Sequence, residues 1–197
     1  MRRVDEIVGA VGWIEDNGRL RRTSHALGDG SRSWLVDVVD HPQLEAWIAG
    51  LGRPAAVVQL LDRHDRECAA VAARLGIPHH VVPETLTDAP FELRPVVRSR
   101  WWREVALWWP QRRLLLCADA LGTVPHYFCA GAEPAGLHPF LRPRPPRSLR
   151  GLEPEHLLVG HGEGVHHRPD AVEIALRTAR RRIPRWLVGL PRLARSS

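Results

Sequence analysis

Residues 57–81 read VVQLLDRHDRECAAVAARLGIPHHV, and the order of the pieces within them decides the fold. The stretch opens inside an apolar run, AAVVQLL (55–61), of the near-continuous kind that is buried on both faces of a sheet. That run stops at Asp62, and DRHDRE (62–67) is polar throughout. An alanine-rich helix is expected from about residue 66 to residue 75. Gly76 suits its left-handed cap, and Pro78 stands just beyond. HHVV (79–82) is extended again, so the stretch is strand, polar turn, helix, strand. Asp62 or Asp65 is expected to cap the helix, since acidic side chains suit a helix N-terminus.

The flanking sequence repeats this alternation. Residues 8–14 and 19–27 read as strands around the Asn17-Gly18 turn, a strong hairpin signal. SWLVDVV (33–39) is a third strand. Pro42 then opens a helix, PQLEAWIAGLG, that ends at Gly50 or Gly52. In the second half FELRPVV (91–97), REVALWW (103–109) and RLLLCAD (113–119) are strands. Residues 122–154 are loop-rich, and LRPRPPRSL (141–149) cannot be regular. HLLVG (156–160) is a short strand, and residues 170–183 form a helix that Pro184 ends or kinks. The organisation is one domain over residues 1–183 and a basic tail over 184–197.

Composition narrows the class. The chain has 197 residues, 44% hydrophobic and 25% charged, which is the balance of a globular protein and not of a disordered one. Asp5 and Glu6 interrupt the N-terminal apolar stretch, which argues against a secretory leader, and no run approaches the ~18 apolar residues of a membrane span. Cys68, Cys117 and Cys129 are odd in number and form no CxxC pair, which suits a reducing, cytoplasmic compartment and core-packing roles. Net charge is +6, and all 28 basic residues are arginine, spread along the chain among Asp and Glu. Only RTARRRIPRWLVGLPRLAR (177–195) is dense, so nucleic-acid binding is not expected. Pro184, Gly189 and Pro191 break any amphipathic anchor in that tail. In REVALWW, Trp108 and Trp109 face opposite sides of their strand and are expected to pack.

In order and spacing, four segments resemble the metallo-β-lactamase superfamily over roughly residues 8–180. SWLVDVVD (33–40) is similar to the family's early strand ending in Asp. The opening stretch is similar to its strand, HxHxDH turn, helix and next strand. REVALWWPQRRLLLCADALG (103–122) is similar to the hairpin that leads to its metal-bridging Asp. HLLVGHGEG (156–164) is similar to its late strand and Gly-His motif. The resemblance implies an αββα sandwich of two mixed sheets flanked by helices, with divalent metal held at one edge and used to hydrolyse an ester, amide or thioester.

Laid on that pattern, the HxHxDH turn falls on Asp62, Arg63, His64, Asp65, Arg66 and Glu67. A further ligand position falls near Arg100, the bridging Asp is Asp119, and the last His is His161. Two readings stay open. In one, a single Zn²⁺, Mn²⁺ or Fe²⁺ sits on His64, Glu67, Asp119 and His161. Asp62 and Asp119 then serve as the catalytic carboxylates, with Asp62 accepting the proton from bound water. In the other no metal binds, and Arg66 and Arg100 close the site by pairing with Asp62, Glu67 and Asp119, leaving a binding or scaffold module for a small or anionic ligand. Two metal ions would face the repulsion of both guanidinium groups. His166 and His167 line the mouth of the site or are solvated.

Overall fold

The computed structural model describes residues 1–15, 18–64 and 66–188. Strands β1 (Arg2–Ile7), β2 (Ala10–Ile14), β3 (Thr23–Gly28) and β4 (Arg32–Val36) form an antiparallel meander. Helix α1 (Leu44–Ile48) carries the chain over to β5 (Arg53–Gln59), which lies parallel to β4. Helix α2 (Cys68–Leu75) then returns it to β6 (His79–Val81), parallel to β5. The unit read from residues 57–81 is therefore present. Gly76 ends α2 at φ 64°, donating its N–H to the carbonyls of Ala72 and Ala73, the left-handed cap that glycine adopts at least cost.

The second sheet holds β7 (Glu92–Arg98), β8 (Arg103–Trp109), β9 (Leu114–Cys117), β12 (His156–Val159) and β13 (Val165–His166), in the order β13-β12-β9-β8-β7. A small ribbon, β10 (Leu121–Gly122) with β11 (Gly136–Leu137), stands apart, and helix α3 (Ala171–Thr178) follows β13.

Strand alternation builds the layers. In β8, Val105, Leu107 and Trp109 enter a core shared with Val58 of β5 and Trp34 of β4. Ala106 enters a second core against Val172, Ala175 and Leu176 of α3, and Trp108 packs on the same side. In β5, Val57 faces a third core with Leu44, Ile48, Val71 and Ala72 of α1 and α2. Helix, sheet, sheet, helix is the expected αββα sandwich. Each Leu or Val so enclosed contributes roughly 1.5–3 kcal/mol. All three cysteines are buried and free.

Several boundaries differ from the sequence reading. RRVDEI was not expected to be a strand, because Val4 is its one buried apolar residue; it is an edge strand, where charge is ordinary. Strand β3 begins at Thr23, not at residue 19, and Asn17 lies outside the described residues. The helix expected over 170–183 stops at Thr178. A 3₁₀ turn over Arg180–Arg182 follows, and residues 183–188 are helical again, with Pro184 in their first turn, where its missing N–H is harmless. Of the expected tail, residues 184–188 are therefore helical and the rest lies outside the described residues. No described helix is long and apolar enough to cross a membrane.

The two sheets are stitched together at one rim. Val105 N–H donates to Leu60 O (3.0 Å) and Asp62 N–H to Arg103 O (3.1 Å), while Thr23 N–H donates to Gly160 O (2.9 Å). These bonds bring the carboxyl ends of β4, β5, β9 and β12 together.

Candidate metal centre

Four turns at that rim each deliver one side chain. Asp37 follows β4 at φ 46°, and its Oδ1 accepts the Leu60 N–H at 3.0 Å. His64 follows β5, its N–H bonded to Leu61 O at 3.0 Å. Asp119 follows β9, and His161 follows β12. The nitrogen or carboxylate atoms of His64, Asp119 and His161 all lie within 4.8 Å of one another.

The tautomers follow from the outer partners. His64 Nδ1–H donates to Asp37 Oδ2 at 3.0 Å, and His161 Nδ1–H donates to the carbonyl of Leu20 at 2.8 Å. The Nε2 atoms of both rings then converge on one oxygen, Asp119 Oδ1, each at 2.9 Å. Two ring nitrogens facing one anionic oxygen require protons or a cation among them. An Nδ1 tied to a carboxylate or carbonyl, with Nε2 aimed inward, is the arrangement that orients ligating histidines.

The electrostatics are steep because the site is largely enclosed. Burial opposes protonation of His64, but the charge of Asp37 and the hydrogen bonds to Asp119 and Asp37 outweigh it and lift the ring to about 9. For Asp119, burial is outweighed by the hydrogen bonds of His161 and His64, which hold it far below the usual carboxylate range. Glu104 lies beneath. Its Oε1 accepts the N–H of Asp119 (3.1 Å) and of Ala120 (2.9 Å), and its Oε2 accepts Trp102 Nε1–H (2.9 Å). Burial, and then the charge of Asp119, push it up to about 8.

The remaining residues singled out from the sequence lie elsewhere. Glu67 immediately precedes α2, and that position turns it away from the rim; its Oε2 accepts the Asp40 N–H at 2.6 Å. Asp62 is occupied by Arg103, accepting its N–H at 3.1 Å and pairing with Nε at 3.5 Å. Arg100 is exposed and stacks over Trp101 at 4.2 Å. Asp62, taken up by Arg103, does not cap α2, whose preceding residue makes no side-chain cap bond; Asp65 lies outside the described residues. Arg66 does turn inward, but to carbonyls. Its guanidinium donates to Thr23 O (2.6 Å), Asp37 O (2.9 Å) and Gly160 O (3.1 Å). It forms none of the ion pairs found among the described residues, so the Arg66–Arg100 closure of the site is not the observed arrangement. Asp37 and Asp119 offset the burial of its charge from a distance.

Sequence reasoning passed over Asp37 and Glu104 as site residues. A lone Glu in the apolar strand REVALWW was the available signal for the second. It also passed over an aromatic cover. Phe128 stacks on His161 (5.8 Å, 21° between planes), and Trp102 meets His138 edge-on at 4.8 Å. The His138 Nε2–H donates to Tyr127 Oη at 3.0 Å, and burial brings His138 down to about 4, so its ring is neutral. Arg63, exposed, lies over Trp102 at 4.9 Å.

Helices outside two facing sheets, with a His/Asp cluster at the strand ends, define the metallo-β-lactamase fold. Solved structures agree. TMB-1 is similar at 12% identity and TM-score 0.64, covering 91% of this chain and 97% of its own. The DIM-1 metallo-β-lactamase is similar at 15% identity and TM-score 0.62, covering 90% and 96%. The FIM-1 metallo-β-lactamase from Pseudomonas aeruginosa, in its mono-zinc form, is similar at 13% identity and TM-score 0.62, covering 91% and 95%. No family profile and no curated protein sequence matches the chain.

Proposed function

We propose that this chain is a metallo-β-lactamase-fold hydrolase that holds one divalent ion, Zn²⁺, Mn²⁺ or Fe²⁺, on His64, Asp119 and His161. The observation that carries this reading is the convergence of both Nε2 atoms on Asp119 Oδ1 while both Nδ1 protons are held outside. Two imidazoles and one carboxylate are a ligand set of the catalytic kind, with a coordination position left for water or substrate. When bound, such an ion brings the pKa of its water toward neutrality and polarises a scissile carbonyl.

The protein's own contributions are positional. Asp37 and Leu20 fix the two rings, and Glu104 fixes the backbone of Asp119. Phe128, Trp102 and His138 shield the site, and Arg63 offers a counter-charge to an anionic small-molecule substrate. Esters, thioesters and amides are the substrates to screen. Three buried free cysteines support a reducing, cytoplasmic location.

The test is elemental mass spectrometry of untagged protein purified without chelator. Close to one equivalent of Zn, Mn or Fe, lost in both His64→Ala and His161→Ala, is the expected result. Absence of metal, with no uptake on incubation with Zn²⁺ or Mn²⁺, overturns the reading.

A further inference from the structure

A second histidine cluster lies at the other end of β12. His156 opens that strand and His161 follows it, so the two clusters are roughly 16 Å apart at a rise of about 3.3 Å per residue. His156 and His166 are direct partners across the antiparallel β12–β13 pair. Their Nδ1 atoms face each other at 3.1 Å. Two nitrogens bound at about 2.0–2.1 Å to one ion stand roughly 2.9–3.4 Å apart for bond angles of about 90–109°, so the observed separation is the one a shared ion requires.

The support behind His166 is of the same kind as at the rim. Its Nε2–H donates to Asp5 Oδ1 at 3.1 Å, which leaves the Nδ1 lone pair directed at His156. Asp5 is itself fixed. It accepts the Gly164 N–H at 2.8 Å on Oδ1 and pairs with His25 Nε2 at 3.1 Å on Oδ2, so its carboxylate is held in one orientation. A carboxylate behind a ring nitrogen raises the basicity of the other nitrogen and sets its direction. His167, at φ 57°, turns its ring to 5.5 Å from that of His156. Its Nδ1 is paired with Glu155 Oε1 at 2.6 Å, leaving Nε2 for a further bond. Solvent reaches His156 through an open cavity of about 740 Å³ whose lining also includes Glu6 and His167.

We propose that His156 and His166 form a second divalent transition-metal site, backed by Asp5 and completed by water. Imidazole donors without thiolate select ions such as Zn²⁺, Ni²⁺ and Cu²⁺. The site is independent of the one on His64, Asp119 and His161.

The experiment titrates Zn²⁺ against full-length protein in competition with a chromophoric chelator. Carried on the His161→Ala background, it removes the rim site from the count. That background is expected to bind one equivalent, and addition of His156→Ala is expected to weaken it at least tenfold. Asp5→Asn, which keeps the size of the side chain, is expected to weaken it about 10–100-fold. Unchanged affinity on adding His156→Ala, or no Zn²⁺ bound by His161→Ala, overturns the proposal. In the wild-type protein, Ni²⁺ is expected to broaden the ring-proton resonances of His156 and His166 at low occupancy. Broadening confined to His64 and His161 overturns it whether or not the variants fold. Loss of Zn²⁺ at the rim alone leaves this site intact, so the two readings fail separately.

Discussion

Glu104 holds Asp119 through the backbone: one carboxylate oxygen accepts the N–H of Asp119 at 3.1 Å and that of Ala120 at 2.9 Å. The other takes the indole N–H of Trp102, so one buried side chain aligns a ligand and its aromatic cover.

Glu104→Ala strands three buried donors. A buried group left unsatisfied costs about 1–3 kcal/mol, so urea denaturation is expected to show a loss of at least about 3 kcal/mol. Glu104→Gln keeps a carbonyl oxygen for the two backbone donors but sets an NH₂ against Trp102, for a loss of about 1 kcal/mol. Equal losses in the two variants contradict the assignment.

Protonation of His64 stabilises the metal-free fold. Its pKa rises from 6.5 to about 9 on folding, so its contribution is fully present below about pH 6.5 and disappears as pH climbs through about 9. Glu104, raised from 4.5 to about 8, acts in the same direction, its protonated form being favoured in the folded state. Chelator-treated protein is therefore expected to have a lower urea midpoint at pH 9.5 than at pH 6.5. His64→Gln is expected to reduce that difference and not abolish it. A midpoint that rises over this interval contradicts the assignment.

Arg66 acts as a clamp between sheets. Its guanidinium ties Thr23 and Asp37 of the first sheet's strand ends to Gly160 beyond β12. A lysine ammonium has no planar fork to reach three carbonyls at once. Arg66→Lys is expected to cost about 2 kcal/mol and Arg66→Met at least about 3 kcal/mol, with metal content unchanged per folded molecule. A gain of metal in Arg66→Met would show instead that its charge excludes the ion.

Phe128 is seated by glycine. A Cβ on Gly136 would lie 1.8 Å from the Phe128 carbonyl oxygen, and one on Gly122 would lie 2.5 Å from its ring. Gly136→Ala is expected to cost about 3 kcal/mol and to loosen the stacking on His161, visible as a shifted His161 ring resonance. Gly50→Ala, where a Cβ meets nothing within 4 Å, is the neutral control.

What the chain's own pattern determined was the run of elements; its resemblance to a known family pointed to three residues that the fold does bring together. Apolar runs punctuated by Gly76, Pro78 and Pro110 locate β5, α2, β6 and the β8–β9 hairpin, because those signals act within a few residues. His64, Asp119 and His161 were legible only through the resemblance of their segments, in order and spacing, to the metallo-β-lactamase pattern. Edge strand β1 was not, since charged residues mask a strand with one buried side. Only the tertiary structure decided where side chains point. It directs Arg66 to carbonyls and Glu67 to Asp40. It pairs His64 with Asp37 across 27 positions and Asp5 with His166 across 161. Those directions depend on a few turn dihedrals, such as φ 46° at Asp37, and on which strand ends the sheet packing brings together. No spacing along the chain encodes either.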